Sequence, residues 1–294
     1  MAKVISSDIL VVGGGLAGIV AALEALRAGK SVTLADRDTA ERMGGLALWA
    51  FGGMMLVGTP LQKRLKIADT PEIALGDWLN FGELAPDDQW PLQWARYYVE
   101  HSRSEVYDWL DNEGIKFLPA VNWVERGRFG DGNRLPRYHV EWGPARELVR
   151  CLLAALHREN TGGRLTLLHR HRITELDHSA GKVSGALAIN EATGEEVRLA
   201  APAVVLATAG INGSHKECRA NWPVDRQQPA QMLNGAHPNA DGRMHHWVAD
   251  TLGGKITHAG EMWNYAAGFP HPYPHFPADE QQQGESLKQP WLNH

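Results

Sequence analysis

Apolar positions fall along this chain in two rhythms. Ile9 to Val12, Ser31 to Ala35 and Ala203 to Ala207 are short runs of the length that a strand buried on both faces needs. Between the first two runs, Ala21, Ala22 and Ala25 mark the slim face of a helix that Gly29 ends. Helical spacing returns at residues 71 to 80, at 90 to 113, where Trp94, Tyr97, Tyr98, Val106 and Trp109 share the apolar side, and at 144 to 159. Gly114 is the expected stop of the second. The pattern then shortens to strand segments at 165 to 168, 173 to 176, 183 to 189 and 197 to 199, with turn residues at 179 to 181 and 191 to 194. These four are expected to form an antiparallel meander. A last helix begins near Gly242 and stops at Gly253-Gly254. Residues 119 to 143 carry no period and read as a long loop, and from Gly260 onward no element is visible.

The fold class is therefore α/β: a Rossmann-like parallel sheet with helices, plus the meander. Its first strand runs directly into Gly13-Gly14-Gly15-Leu16-Ala17-Gly18. In a strand–turn–helix setting the first glycine permits the tight turn, the third admits a pyrophosphate without a Cβ in the way, and Gly18 lets helix and strand pack closely. The helix N-terminus offers free N–H groups and a partial positive charge to phosphate. Asp36 ends the second strand about 20 residues on, followed by Arg37, where a carboxylate holds the hydroxyls of an adenosine ribose. The acid disfavours a 2′-phosphate and leaves NAD and FAD open.

Further glycines fall at Gly44-Gly45 and Gly52-Gly53, within MGGLALWAFGGMMLVGT. They suit backbone lying close against a cofactor, or two tight turns around a short apolar helix. Thr208-Ala209-Gly210 places small residues at the C-terminal end of a strand expected in the core, the edge where α/β sheets bind ligands. Asp241 stands at a helix N-cap or a cofactor contact. Within the long loop, Arg137, Tyr138, His139 and Trp142 bring together a cation, two polar rings and an indole. One reading makes Arg137 an anchor for a carbonyl or carboxylate and His139 a proton carrier; the other is a loop stapled by its aromatics.

Composition narrows the function. The 294 residues, 44% of them hydrophobic, fill a globular core. Lysine and arginine number 29 against 34 acids, net −5 with no basic block, so no nucleic-acid or anionic-membrane partner is implied. Cys151 and Cys218 lack metal or disulfide spacing, and a cytoplasmic setting is expected. No apolar run approaches the roughly 18 residues of a membrane span, and Asp8 with the glycines excludes a signal-peptide core. His271 and His275 are separated by prolines that break fixed ligand geometry, so no metal is expected.

VVGGGLAGIVAA with Asp36, GGLALWAFGG, VVLATAG and NADG together resemble the flavoprotein family of fumarate reductases and 3-ketosteroid Δ1-dehydrogenases, especially its FAD-binding dehydrogenase branch, which also has PRYHVEWG and RANWP. The resemblance implies FAD. Gly13 to Gly18 hold its pyrophosphate, and Asp36 with Arg37 lies at the adenosine ribose. Gly44, Gly45, Leu46, Ala47, Gly52 and Gly53 lie along the ribityl chain and flavin edge, Arg172 and Ile173 pass the adenine, Thr208 to Gly210 pack beneath the cofactor, and Asp241 is a further contact. Leu46 stands where some members carry a histidine linked to flavin, which implies noncovalent FAD. The implied chemistry is hydrogen removal or addition across a carbon–carbon bond beside a carbonyl, on a steroid-like ketone or a dicarboxylate, with Arg137, Tyr138 and His139 as candidate catalytic groups. The implied division is an FAD-binding domain over 1–254, lacking the family's C-terminal closing segment, and the start of a truncated substrate or cap domain over 255–294. The alternatives are a flavin-binding fragment without catalysis, acting as an interaction protein, and a different flavin oxidase.

Overall fold

The computed structural model describes residues 3–82, 84–85, 87–124, 132–233 and 235–262. Along the chain it begins β1 (Lys3–Ser6), β2 (Ile9–Val12), α1 (Leu16–Arg27), β3 (Val32–Ala35) and β4 (Gly53–Met55). Five helices follow, α2 (Pro60–Arg64), α3 (Pro71–Gly82), α4 (Gln89–His101), α5 (Trp109–Asn112) and, after β5 (Phe117–Asn122) and β6 (Tyr138–Glu141), α6 (Pro144–Glu159). The remainder is β7 (Leu165–Leu168), β8 (His171–Ser179), β9 (Lys182–Asn190), β10 (Glu196–Ala200), β11 (Ala203–Leu206), α7 (His215–Ala220) and α8 (Arg243–Leu252).

Two compact units emerge. The first comprises Met1–Leu46 with Glu159–His294, and the second Ala47–Arg158. The expected cut after residue 254 differs from this division, and residues 263–294 of the expected cap, with His271 and His275, lie outside the described residues.

In the first unit a parallel sheet runs β11-β2-β3-β7. The continuous apolar runs follow from that place: Leu10, Val11, Val32, Leu34 and Ala35 are at most 1 % exposed. On one face lies α1, burying Gly18, Ile19, Ala22, Leu23, Ala25 and Leu26 at the three-and-four spacing of a helix stripe. Asp8 fastens the start of the two central strands, accepting from the Ser31 N–H at 2.7 Å and its hydroxyl at 2.8 Å. A second sheet, β1-β10-β9-β8, is antiparallel except for the parallel β1–β10 pair. Its Ile173, Leu176, Ala186, Ala188, Val197 and Leu199 join Leu10, Val12 and Ala35 in one core.

Three expectations change here. The segment 165–168 belongs to the parallel sheet rather than the meander, because its four residues pair in register with β3. The third apolar run is an edge strand: β11 pairs with β2 among the described residues, and Val205 and Leu206 remain 37 and 39 % exposed. Apolar composition alone does not separate an edge strand from a central one. The expected loop 119–143 is bounded by strands, β5 reaching to Asn122 and β6 starting at Tyr138, while residues 125–131 lie outside the described residues.

In the second unit β4-β6-β5 form an antiparallel sheet. The long helix expected at 90 to 113 is α4 and α5 joined by a π-helical segment, Ser102–Asp108. The glycine pair at 52–53 is explained by the sheet: a Cβ on Gly53 would collide with the Tyr138 ring, and one on Gly52, at φ +83°, with the Glu141 carboxyl. Glu141 is 1 % exposed, and neither of its carboxyl oxygens finds a hydrogen-bond partner among the described residues. Burial pushes this carboxyl up from 4.5 to about 7. The folded chain therefore holds the proton that the unfolded chain releases above 4.5, so the associated stability is complete below pH 4.5 and lost as pH rises through 7. The gap corresponds to roughly 3 kcal/mol. Urea denaturation at pH 5 and pH 8 should show the native chain losing about that much more stability than Glu141→Gln; equal changes in both would refute it.

Candidate functional site

The site starts from backbone that approaches itself too closely for side chains. A Cβ on Gly13, at φ +105°, would strike the Ala207 carbonyl beyond β11, and one on Gly18 would strike the Gly13 carbonyl, so these glycines are required by packing. Gly15 differs, since nothing lies within 4 Å of the position its Cβ would take. It is the N-cap of α1, whose first-turn N–H groups open beside it. The second glycine pair folds back onto this turn: Gly44 N–H donates to the Gly14 carbonyl at 2.8 Å, and Gly15 bridges Gly44 in parallel. A cradle of bare backbone results.

Asp36 braces the cradle. Its Oδ2 accepts from Gly14 N–H at 2.5 Å and its Oδ1 from Asp38 N–H at 2.7 Å. A carboxylate has about four lone-pair positions, so one on each oxygen remains for a pair of hydroxyls. Beyond β11, Ala209 holds a left-handed φ of +59°, a conformation that alanine adopts only under constraint.

These parts line one cavity of about 510 Å³. It gathers Gly13, Gly15, Asp36, Arg37, Gly45, Leu46, Arg172, Ile173, Thr208, Ala209, Gly210 and Asp241 from the expected cofactor residues. The other residues of the turn act behind the wall: Gly14 and Gly44 through their backbone bonds, and Leu16, Ala17 and Gly18 as the opening turn of α1. Ala47, Gly52 and Gly53 belong to the second unit. Arg37 and Asp241 are joined to each other at 2.9 Å; Arg37 also pairs with Glu191 at 3.1 Å, which holds Arg172 at 2.8 Å, and Asp241 pairs with Arg243. The N-cap of α8 is Gly242 rather than Asp241. Lining outside the expected set includes Asp38, Asn212, Ala236, His237 and, further along, Ile256, Thr257 and Met262. The NADG segment was the signal for part of it. The histidine four residues before Asp241 has no motif of its own.

The expected catalytic set lies in the second unit, with Arg137 and His139 buried. Arg137 is 3 % exposed and bound by two carboxylates, Asp69 at 2.8 Å through both of its oxygens and Asp77 at 2.6 Å. Asp77 also takes Arg134, and Asp69 takes the Gln62 amide at 3.0 Å. His139 is wholly buried, its Nδ1 at 2.6 Å from the Arg137 carbonyl, its Nε2 at 2.8 Å from the Thr59 hydroxyl, and its ring edge-on to Tyr107 and Phe117. Burial lowers its pKa and keeps it neutral. Tyr138 lies over Gly53. Arg137 and His139 thus build a polar core inside the second unit, with both ring nitrogens of His139 and four of the five Arg137 N–H groups bonded among the described residues.

A family described as FAD binding domain matches residues 8–283. The chain belongs to that family. FAD is its cofactor, and the open Gly15 cradle beside the Asp36 carboxylate is the observation in this structure that fits the group. Among relatives of this flavoprotein, the KsdD-like steroid dehydrogenase of Mycolicibacterium smegmatis is 37% identical over 289 residues, covering 92% of this chain and 52% of the relative. A KsdD-like steroid dehydrogenase of Mycobacterium tuberculosis is 36% identical over 294 residues, covering 94% and 51%. The chain thus spans about half the length of these curated relatives. The solved 3-ketosteroid-Δ4-(5α)-dehydrogenase of Rhodococcus jostii, in complex with 4-androstene-3,17-dione, superposes with a TM-score of 0.69 at 25% identity over 87% of this chain and 55% of that one. An open-conformation flavocytochrome c3 fumarate reductase gives 0.69 at 24% identity over 83% and 40%, a likeness of fold. Among the described residues no helix is long and apolar enough to cross a membrane, and no group of three His, Cys, Asp or Glu side chains is placed to hold a metal.

Two outcomes follow. Gly15→Val places its Cβ in open space within the cradle and should abolish measurable FAD uptake by the apo-protein while leaving its unfolding midpoint close to native; Asp36→Ala should weaken FAD by about 1.5–3 kcal/mol. Equal, negligible effects in a fluorescence titration would make the fingerprint purely structural. Arg137→Ala removes the partner shared by two buried carboxylates, leaving Asp77 with Arg134 and Asp69 with the Gln62 amide, and should cost about 3 kcal/mol in urea denaturation, whereas a loss under 1 kcal/mol would reject the structural assignment.

Proposed function

We propose that this flavoprotein is a noncovalent FAD-dependent oxidoreductase that removes or adds hydrogen across a carbon–carbon bond next to a carbonyl, on a steroid-like ketone. The cavity that brings the Gly15 cradle, Asp36 and the end of β11 together carries the reading. Bound FAD supplies the hydride-exchanging centre. The chain's own part is binding and orientation: the first turn of α1 and Gly15 receive the pyrophosphate, Asp36 the ribose hydroxyls, and Arg172 and Ile173 the adenine. Leu46, half-exposed at the cavity, presents only hydrocarbon and forms no bond to flavin. We place the substrate-binding region from residue 255 onward. The steroid-like ketone is favoured over a dicarboxylate by the names of the relatives that align over most of this chain. A second reading, a flavin binder that needs further groups for turnover, draws on the burial of Arg137 and His139.

Acid precipitation of the purified protein should release a yellow supernatant with the absorption of oxidised flavin. Anaerobic incubation with 3-ketosteroids, small dicarboxylates and enone-forming ketones should bleach that absorption with the steroids. Bleaching by dicarboxylates alone would overturn the substrate class. Bound flavin that no substrate reduces would favour the second reading, and protein that takes up no FAD would overturn both.

A further inference from the structure

The cavity has a strap. Its floor is the end of the parallel sheet, where β11, β2 and β3 finish side by side and the glycine turn leaves the middle strand. Residues 237–240 touch both flanks of that turn. On the β11 side, Gly213 N–H donates to the Ala240 carbonyl at 2.9 Å, and a Cβ on Gly213 would collide with the His237 carbonyl and press on those of Pro238 and Ala240. On the β3 side, His237 Nε2 lies 2.8 Å from Asp38 Oδ2. The segment is a tight turn, with Ala240 N–H donating to the His237 carbonyl at 2.9 Å, so both of its ends sit at Gly213 and the reach to β3 is made by the His237 side chain.

At the β3 end the His237–Asp38 pair lies next to a second tie, Arg37 with Asp241 at 2.9 Å, and is the buried one of the two. Asn239 N–H donates to His237 Nδ1 at 3.2 Å, so the ring proton is on Nε2 and is given to Asp38. His237 and Asp38 are 8 and 6 % exposed, which keeps the bond dry. Burial alone would raise the Asp38 carboxyl, but the His237 bond, the Thr39 N–H at 2.9 Å and the Arg42 charge at 3.7 Å outweigh it and hold it below the usual range, a full acceptor. Asp38 is also tied to the adenosine carboxylate, since its own N–H donates to Asp36 Oδ1.

We propose that His237 is a positioning residue for the cofactor: its bond to Asp38 latches the 237–240 strap to the end of β3 and so holds the adenosine half of the dinucleotide. The latch rests on the FAD-binding reading. It acts on the ADP portion shared by FAD and free ADP and leaves the flavin mononucleotide portion alone. Apo-protein would be titrated with FAD, ADP and FMN, for the native chain, His237→Ala and His237→Gln. His237→Ala should weaken FAD and ADP about ten- to a hundredfold, the range expected for a hydrogen bond to a charged group, with faster FAD release and FMN affinity within about twofold of native. His237→Gln keeps an N–H donor toward Asp38 and should restore FAD affinity to within about threefold. Should the alanine variant fail to fold, the glutamine variant decides alone: near-native ADP binding supports the latch, and a loss matching Gly15→Val refutes it. Unchanged FAD and ADP affinity in His237→Ala, or equal losses for ADP and FMN, overturns the latch while FAD binding by the native chain stands. A native chain that takes up no FAD overturns the latch and the reading beneath it together.

Discussion

The constraint on which the cofactor unit depends is the contact between the first turn of α1 and the end of β2. Gly18 approaches the Gly13 carbonyl so closely that any side chain would force the helix off the sheet. That approach aims the helix N-terminus across the open face of Gly15 and leaves room for Gly44 to bond back to Gly14. Asp36 then serves two ends at once, fixing the turn through Gly14 N–H and the following loop through Asp38 N–H while keeping acceptor capacity for a sugar. The dinucleotide site is therefore assembled by the same close packing that makes the sheet stable.

This coupling is why so much of the site was readable. A glycine that must be a glycine leaves a local signal, and an acid at the end of the next strand stands at a distance set by one helix and one strand. The turn at 13–18, Asp36, Gly45 and the end of β11 were legible for that reason and line or support one cavity. Around 236–245 only the NADG quartet left a signal, and the lining at Ile256, Thr257 and Met262 left none, since their place depends on where the chain returns after α7. Asp38 and His237 are 199 positions apart and join only in the folded state. The placement of β7 escaped for a similar reason: a four-residue apolar strand does not say which sheet it enters, and the neighbouring meander segments looked the same.

The structure places Arg137 and His139 in a buried polar core, and the overlap with the catalytic reading has a physical cause. A buried polar core and a catalytic site draw on the same residue types, because both need groups that hydrogen-bond strongly where water is excluded. The difference lies in valence. Arg137 has its guanidinium divided between Asp69 and Asp77, and both ring nitrogens of His139 are engaged, so most of their bonding is spent inside the core. Glu141, two residues further along β6, is the open member: dry, its carboxyl pushed up to about 7 by burial, and accommodated by the missing side chain of Gly52. A sequence shows the residue types but not which valences are spent.

The same test separates the two aspartates after β3. Asp36 lines the cavity with two backbone donors and acceptor capacity to spare, which suits a ligand that comes and goes. Asp38 is committed to His237, Thr39 and Arg42, which suits a fixed anchor. Exchanging their roles would put the ligand on a carboxylate already neutralised by protein partners and leave the strap tied to one that needs its free positions for sugar. The order along the chain, ligand acid first and anchor acid two residues later, sets the ribose position next to the glycine turn and the tether at the rim. In the proposed binding mode a dinucleotide on the turn would meet backbone beneath it and the 237–240 segment beside it, its less reactive half held by geometry and its flavin end left for chemistry.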